Sequence, residues 1–331
     1  MKGTLLVVGL LVMAAASSGR TQAQVANGGT YPSKPIRVLV PFPPGGTPDI
    51  QFRVLAEKLV PRFGQQFVID NRAGASGNIA MEIAARAPAD GYTLIIATVG
   101  NYAVNPHLYK LPFDVTKDLA PIIHIATTPA VLVIHPSVQA NSVKELIALA
   151  QRKPGELNYG SSGVGGFGHM CAELFAAMTK TRMTHVPYKG AAAAQTDLIG
   201  GHIQVLFNSA VPTLPHIKGG RLRALATTGT ARLPILPDLP TVAEAGVPGY
   251  ENSTWSTISA PARTPRPIVE RLNQELNAVL QMPEIRERFA AAGSAVTGGT
   301  PKQAQDILKS ELAKFGKLIK EAGISAADGG G

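Results

Sequence analysis

Few side chains in this 331-residue sequence combine type and spacing for bond-making chemistry. Its seven histidines stand at 107, 124, 135, 169, 185, 202 and 216. None pairs at H-E-x-x-H or another close ligand spacing, so neither a metal nor any other cofactor is expected. Ser161 and Ser162 lie in Gly160-Ser-Ser-Gly163, which falls short of the G-x-S-x-G nucleophile elbow. With His169 they read either as an exported hydrolase's nucleophile and base, or as a turn beside a solvated or capping histidine. Gly163-Val-Gly-Gly-Phe-Gly168 fits G-x-G-x-x-G, but the next strand ends in Pro187-Tyr188-Lys189 rather than in an acid for a ribose. It reads better as a turn that holds an anion. Charged candidates are Arg72, with a local salt bridge as the alternative, and Lys189, with a solvated side chain as the alternative.

What the chain does offer is glycines and small hydroxyls at the ends of apolar runs. Phe42-Pro-Pro44-Gly45-Gly46-Thr47-Pro-Asp49 follows the β-branched run Ile36–Val40 and precedes Phe52, Leu55, Ala56 and Leu59, one face of a helix. Thr47 is expected to cap that helix, with Pro48 at its first position and Asp49 in its first turn. A strand, a glycine turn and a helix N-terminus make a cradle of free N–H groups at a positive dipole end, which suits a small anion. An ordinary βα turn with a tidy cap would show the same residues. Gly74-Ala75-Ser76-Gly77-Asn78 and Thr98-Val-Gly-Asn101 repeat the arrangement after the runs 66–70 and 92–97.

Strands alternating with helices imply an α/β fold with parallel sheets covered on both faces. Ligands in such sheets sit outside the carboxyl ends of the strands, where all three turns lie. The alternation restarts after an extended run at 122–135. Ser142 caps a helix, 157–160 and 184–188 are strands, and Cys171, Leu174, Phe175 and Met178 stripe a helix between them. After a second extended run near 254–260, only helices follow. They have no strand of their own and must pack on the first core. The first lobe is therefore discontinuous, over 30–127 and 252–325, with 128–251 inserted as a second lobe. The tail 326–331 is expected to be disordered.

Lys2, the 12-residue apolar run Leu5–Ala16 and Thr21-Gln-Ala23 read as a secretory signal peptide over 1–23, cleaved after Ala23. The apolar run is too short to span a membrane. Of the +9 net charge two units, Lys2 and Arg20, lie in the leader, leaving +7 on the exported part. No basic run interleaves with aromatics, so nucleic acid is not an expected partner. One cysteine, Cys171, allows no internal disulfide. Many backbone donors with few acids or bases suit binding rather than turnover.

The ordered motifs resemble the Bug family, the periplasmic solute-binding proteins of tripartite tricarboxylate transporters. The resemblance covers about Tyr31 to Ile324. It rests on Tyr31-Pro-Ser-Lys-Pro-Ile-Arg37, the 41–49 and 71–78 turns, Asp90-Gly-Tyr-Thr93, Asn105-Pro-His-Leu-Tyr109, Asn158-Tyr-Gly-Ser-Ser-Gly163, His185-Val-Pro-Tyr-Lys-Gly190 and Leu239-Pro-Thr-Val-Ala-Glu-Ala-Gly246. It implies a monomeric, two-lobed Venus flytrap (type II periplasmic-binding-protein fold) whose hinge is two crossing strands. It also implies a small organic carboxylate between the lobes, a membrane permease as partner, and no catalysis. One carboxylate would be gripped by main-chain donors of Phe42–Asp49 and Gly74–Asn78, with Thr98 to Asn101 beside them. Ser161, Ser162, Gly163, Pro187, Tyr188 and Asn208 are the implied second-lobe contacts. Two departures stand out: Ala73 where the family often has Pro, and Asn208 where it commonly has Asp. The second removes repulsion toward a second ligand carboxylate or a partner for a ligand amine, and favours an unaminated mono- or dicarboxylate. A sensor subunit for a membrane receptor kinase is the alternative partnership.

Overall fold

The computed structural model describes residues 31–188 and 190–325. The expected leader, Lys189 and the expected C-terminal tail lie outside the described residues.

The first half of the chain runs β1 (Ile36–Val40), α1 (Thr47–Phe63), β2 (Phe67–Asn71), α2 (Asn78–Ala85), β3 (Thr93–Thr98) and the short α3 (Asn105–Leu108). The 16-residue β4 (Leu119–Ile134) leads into α4 (Val143–Arg152), β5 (Asn158–Ser161), α5 (Phe167–Thr179), β6 (Thr184–Pro187), α6 (Ala191–Ile199), β7 (Val205–Ser209), α7 (Ala210–Lys218) and β8 (Arg223–Thr227). The chain returns through β9 (Ser253–Pro261), α8 (Arg266–Leu280), α9 (Pro283–Ala291), β10 (Ala295–Val296) and α10 (Pro301–Ala322).

Hydrogen-bonded neighbours run β2-β1-β3-β9-β4-β7-β5-β6, with β8 and β10 also on β4. In each lobe three strands are parallel, β2-β1-β3 in one and β6-β5-β7 in the other. The sheets are mixed, because β4 and β9 carry the chain between the lobes and pair antiparallel with their neighbours. β4 serves both lobes. Leu119 to Pro129 pairs with β9, and Ala130 to Ile134 pairs with β7 and β8. Burial along most of this strand explains why apolar residues dominate the 122–135 run.

Each lobe has its own core. Val38, Phe52, Leu55, Ile96 and Ile258 anchor one, and Leu132, Tyr159, Phe175, Phe207 and Tyr250 the other. The C-terminal helices do pack on the first lobe, where Ile268, Leu272 and Phe289 join its core. They are not the only elements there, however. β10 pairs antiparallel with β4 at Ala126 and Thr127, and two residues are too few for any periodicity to show.

Helix ends follow their sequence signals in most places. Ser142 Oγ accepts from the Glu145 N–H at 3.2 Å. Thr300 and Gln303 form a reciprocal capping box at the start of α10. Thr300→Ala should therefore cost about 1 kcal/mol, read as a lower urea midpoint with an unchanged slope. Thr47 does not cap α1; the N-cap is Gly46, and Thr47 is already helical. No side chain caps α1; Asp49 instead holds the turn before it, accepting from the Gly45 N–H at 2.9 Å.

Candidate ligand cleft

The central strand of each sheet runs into a glycine turn and then a helix: β1 into α1, and β5 into α5. Both helices start on a glycine in the same extended conformation, Gly46 (φ −67°, ψ 156°) and Gly166 (φ −64°, ψ 156°). The two turns face each other across a cleft of about 530 Å³. The first α1 amide to bond back within the helix is Ile50, to Gly46 O; in α5 it is Met170, to Gly166 O. The amides of Thr47 in one lobe, and of Phe167 and Gly168 in the other, precede those bonds and belong to residues that line the cleft. They form two positive helix ends beside one space.

Phe42, Thr47, Gly74, Ser76, Gly77, Thr98 and Asn101 line the cleft from the first lobe, as the sequence suggests. Side chains hold these turns in place. Asp49, 1% exposed, accepts from Arg53 (2.9 and 3.0 Å) and from Asn71 Nδ2 (3.0 Å), and Asn71 Nδ2 also donates to Phe42 O. This ties the β1–α1 turn to the end of β2. Residues 74–77 all have positive φ: Gly74 122°, Ala75 46°, Ser76 56° and Gly77 85°. Such a left-handed run persists only where its surroundings over-determine it. Asn101 Nδ2 and Asn105 Nδ2 both donate to Ser76 O (3.0 and 2.9 Å), and Asn105 also donates to Asn78 Oδ1.

From the second lobe Ser162 and Asn208 reach the cleft. The remaining sequence candidates serve as supports behind it. Pro44, Gly45, Gly46 and Asp49 shape the first turn, while Ala75 and Asn78 shape the second. Gly163 takes a φ of 123°, Pro187 ends β6, and Tyr188 donates to Asp197 at 2.8 Å. Arg72 takes its local salt bridge, to Asp70 at 2.8 Å.

Sequence reasoning passed over Val104, Phe167, Met170, Thr254 and Phe315, which also line the cleft. Phe315 and Met170 belong to a buried apolar cluster, so periodicity marks such side chains only as core. The cleft is covered at one edge: a Cβ on Gly165 would stand 2.5 Å from Leu108 Cδ1 and 3.3 Å from Val104 Cγ1 of the opposite lobe.

A model of the "Tripartite tricarboxylate transporter family receptor" (TctC) matches residues 51–324. The chain belongs to the TctC family. Among its relatives, protein BugT of Bordetella pertussis is 36% identical over 321 residues, 96% of this chain and 97% of BugT. The R. palustris protein Rpa4515, solved with adipate, superposes with a TM-score of 0.79 at 41% identity, covering 89% of this chain and 99% of that one. MatC from Rhodopseudomonas palustris, with bound malate, gives 0.75 at 27%, covering 87% and 100%. The fold is accordingly that of the two-lobed periplasmic binding proteins.

Members of the TctC family are solute-binding receptors, and the serine turn of this one fits that role. His169 Nε2 lies 3.8 Å from a Glu173 carboxylate oxygen. Its Nδ1 accepts from the Gly165 N–H at 3.0 Å, which steadies the turn before α5 without capping the helix, and at 4% exposed the ring is not solvated. Ser161 Oγ lies 2.7 Å from His185 Nε2, because β5 and β6 pair in parallel with Tyr159 opposite His185. The His169 and His185 rings stack at 3.9 Å. Beneath them burial raises the pKa of Glu173, which accepts a hydrogen bond from Tyr159. Ser161 is buried, at 1% exposed, and Oγ also donates to Gly163 O at 2.9 Å.

Proposed function

We propose that the protein is an exported receptor that captures a small organic carboxylate between its lobes and hands it to a tripartite tricarboxylate-type membrane permease, with no bond made or broken. The bodies that close on the ligand are 30–127 with 252–325, and 128–251. The observation that carries the reading is the pair of helix N-termini, from α1 and α5, that bring unbonded amides to one cleft from opposite lobes. Adipate in the R. palustris relative and malate in MatC support the ligand class. The site residues proposed to touch the anion are Thr47, Gly74, Ser76, Gly77, Thr98 and Asn101. Ser162 and Asn208 meet the ligand's far side. A ligand that touches both lobes only when they are closed shifts the population toward that form. Export through the 1–23 leader would place the receptor in the periplasm; no helix among the described residues is long and apolar enough to cross a membrane.

Thermal-shift screening of aliphatic and aromatic carboxylates should raise the melting temperature by mass action. At a ligand concentration of 100 Kd the stabilisation is about 2.7 kcal/mol. Equal stabilisation by the corresponding uncharged amides would refute the anion cradle.

A further inference from the structure

The walls of the cleft restrict the carbon skeleton that such a carboxylate carries. No Asp, Glu, Lys, Arg or His lines the cleft among the described residues. Most polar side chains that do line it are already committed. Asn101 and Asn105 donate to Ser76 O, Thr98 Oγ1 donates to Asn101 Oδ1, and Asn208 bonds both Gln195 and the Ser209 N–H. Ser76 Oγ bonds the Tyr109 hydroxyl. The hydroxyls of Thr47, Ser162, Ser209 and Thr254 are what remains for the ligand. Of the apolar walls, Phe42 and Phe167 are partly exposed, with Val104, Met170 and Phe315 buried behind them. An ammonium has no carboxylate to meet there, and a hydroxyl held out of reach of those four hydroxyls loses its water without gaining a partner.

We infer that the ligand is a carboxylate with an unsubstituted apolar body, a ring or a methylene chain, and that the cleft discriminates against α-hydroxy and α-amino acids of the same skeleton. This rests on the carboxylate reading above and narrows it. Two features support it beyond the lining itself. The cleft, at about 530 Å³, has the size of a pocket for a bulky ligand rather than for a short polar acid. Asn208 gives its amide to Gln195 at 2.8 Å and offers an amine no carboxylate.

Titration calorimetry on the full exported chain with matched pairs tests this: phenylacetate against mandelate, glutarate against glutamate, and succinate against malate. The unsubstituted member should bind at least roughly tenfold more tightly in each pair, with phenylacetate–mandelate the widest gap. A hydroxylated or aminated member that binds as tightly as its partner, or a panel in which no member binds, overturns the inference. Phenylacetamide run alongside separates the two levels. If it binds as well as phenylacetate, the carboxylate reading itself fails, whatever the pair ratios are.

Discussion

Gly77→Val should abolish ligand capture. A Cβ at this position would lie 2.4 Å from Asn101 Nδ2 and 2.8 Å from Pro41 Cβ, and the residue sits at φ +85°. Valine therefore meets a left-handed backbone cost and a steric collision together, about 2–4 kcal/mol in all. The collision is with the asparagine that holds Ser76 O, so the damage falls on the turn that faces the ligand. Affinity should drop roughly a hundredfold, equivalent to about 2.7 kcal/mol of binding. Gly45→Ala is the control. It has a similar φ of +84° but nothing within 4 Å of the added carbon. It should cost only the backbone term, about 1 kcal/mol or slightly more, and keep affinity within a few-fold. Calorimetric affinity for a carboxylate hit, with melting temperature measured in parallel, decides the matter. Wild-type affinity in the Gly77 variant would remove the second turn from the site.

Asp49→Ala should be the next most damaging change. It strips the acceptor from the Gly45 N–H, from Asn71 Nδ2 and from Arg53. The first two are the larger loss, because Arg53 is half exposed and its ion pair is screened. We expect about 2–3 kcal/mol of lost stability by urea denaturation and a clear loss of affinity, since two turns of the cleft come apart. The effect has a pH signature. Burial alone would raise the Asp49 pKa, but the bonds from Arg53, Gly45 and Asn71 outweigh it and leave the carboxyl below its ordinary 3.8. A depressed folded value means that the stabilisation is complete above the unfolded pKa and is lost as pH falls through the folded one. The gap between wild type and variant should hold at neutral pH and close below about pH 4. A gap that persists undiminished in strong acid would mean that Asp49 acts through packing rather than charge.

The elements were legible where the chain alternates sharply between β-branched runs, glycine turns and helical stripes. That is why three turns at the carboxyl ends of β1, β2 and β3 could be placed on one edge before any coordinates. The cap of α1 was misplaced because both Thr47 and Asp49 are good caps by type. In the fold neither caps: the helix starts on Gly46, and Asp49 turns back to the Gly45 N–H before it. The partner of Ser161 was hidden for a different reason. His169 is nearer in sequence, but strand pairing brings His185, 24 residues away, to 2.7 Å. The apolar walls were the least legible part. Met170 and Phe315 come from helices in opposite parts of the chain and carry the spacing of core residues. A side chain that faces a cleft and one that faces a core obey the same period.

The unbroken course of β4 has a consequence for how the molecule fails. Its amides and carbonyls pair with β9 over one stretch and with β7 and β8 over the next, so neither half can melt without stripping a ladder from a strand that the other half needs. All-or-none denaturation across both cores is the expected outcome, checked by coincident calorimetric and spectroscopic transitions. Half-melted species with bare sheet edges, the forms most prone to aggregate or to be cut by proteases, stay scarce.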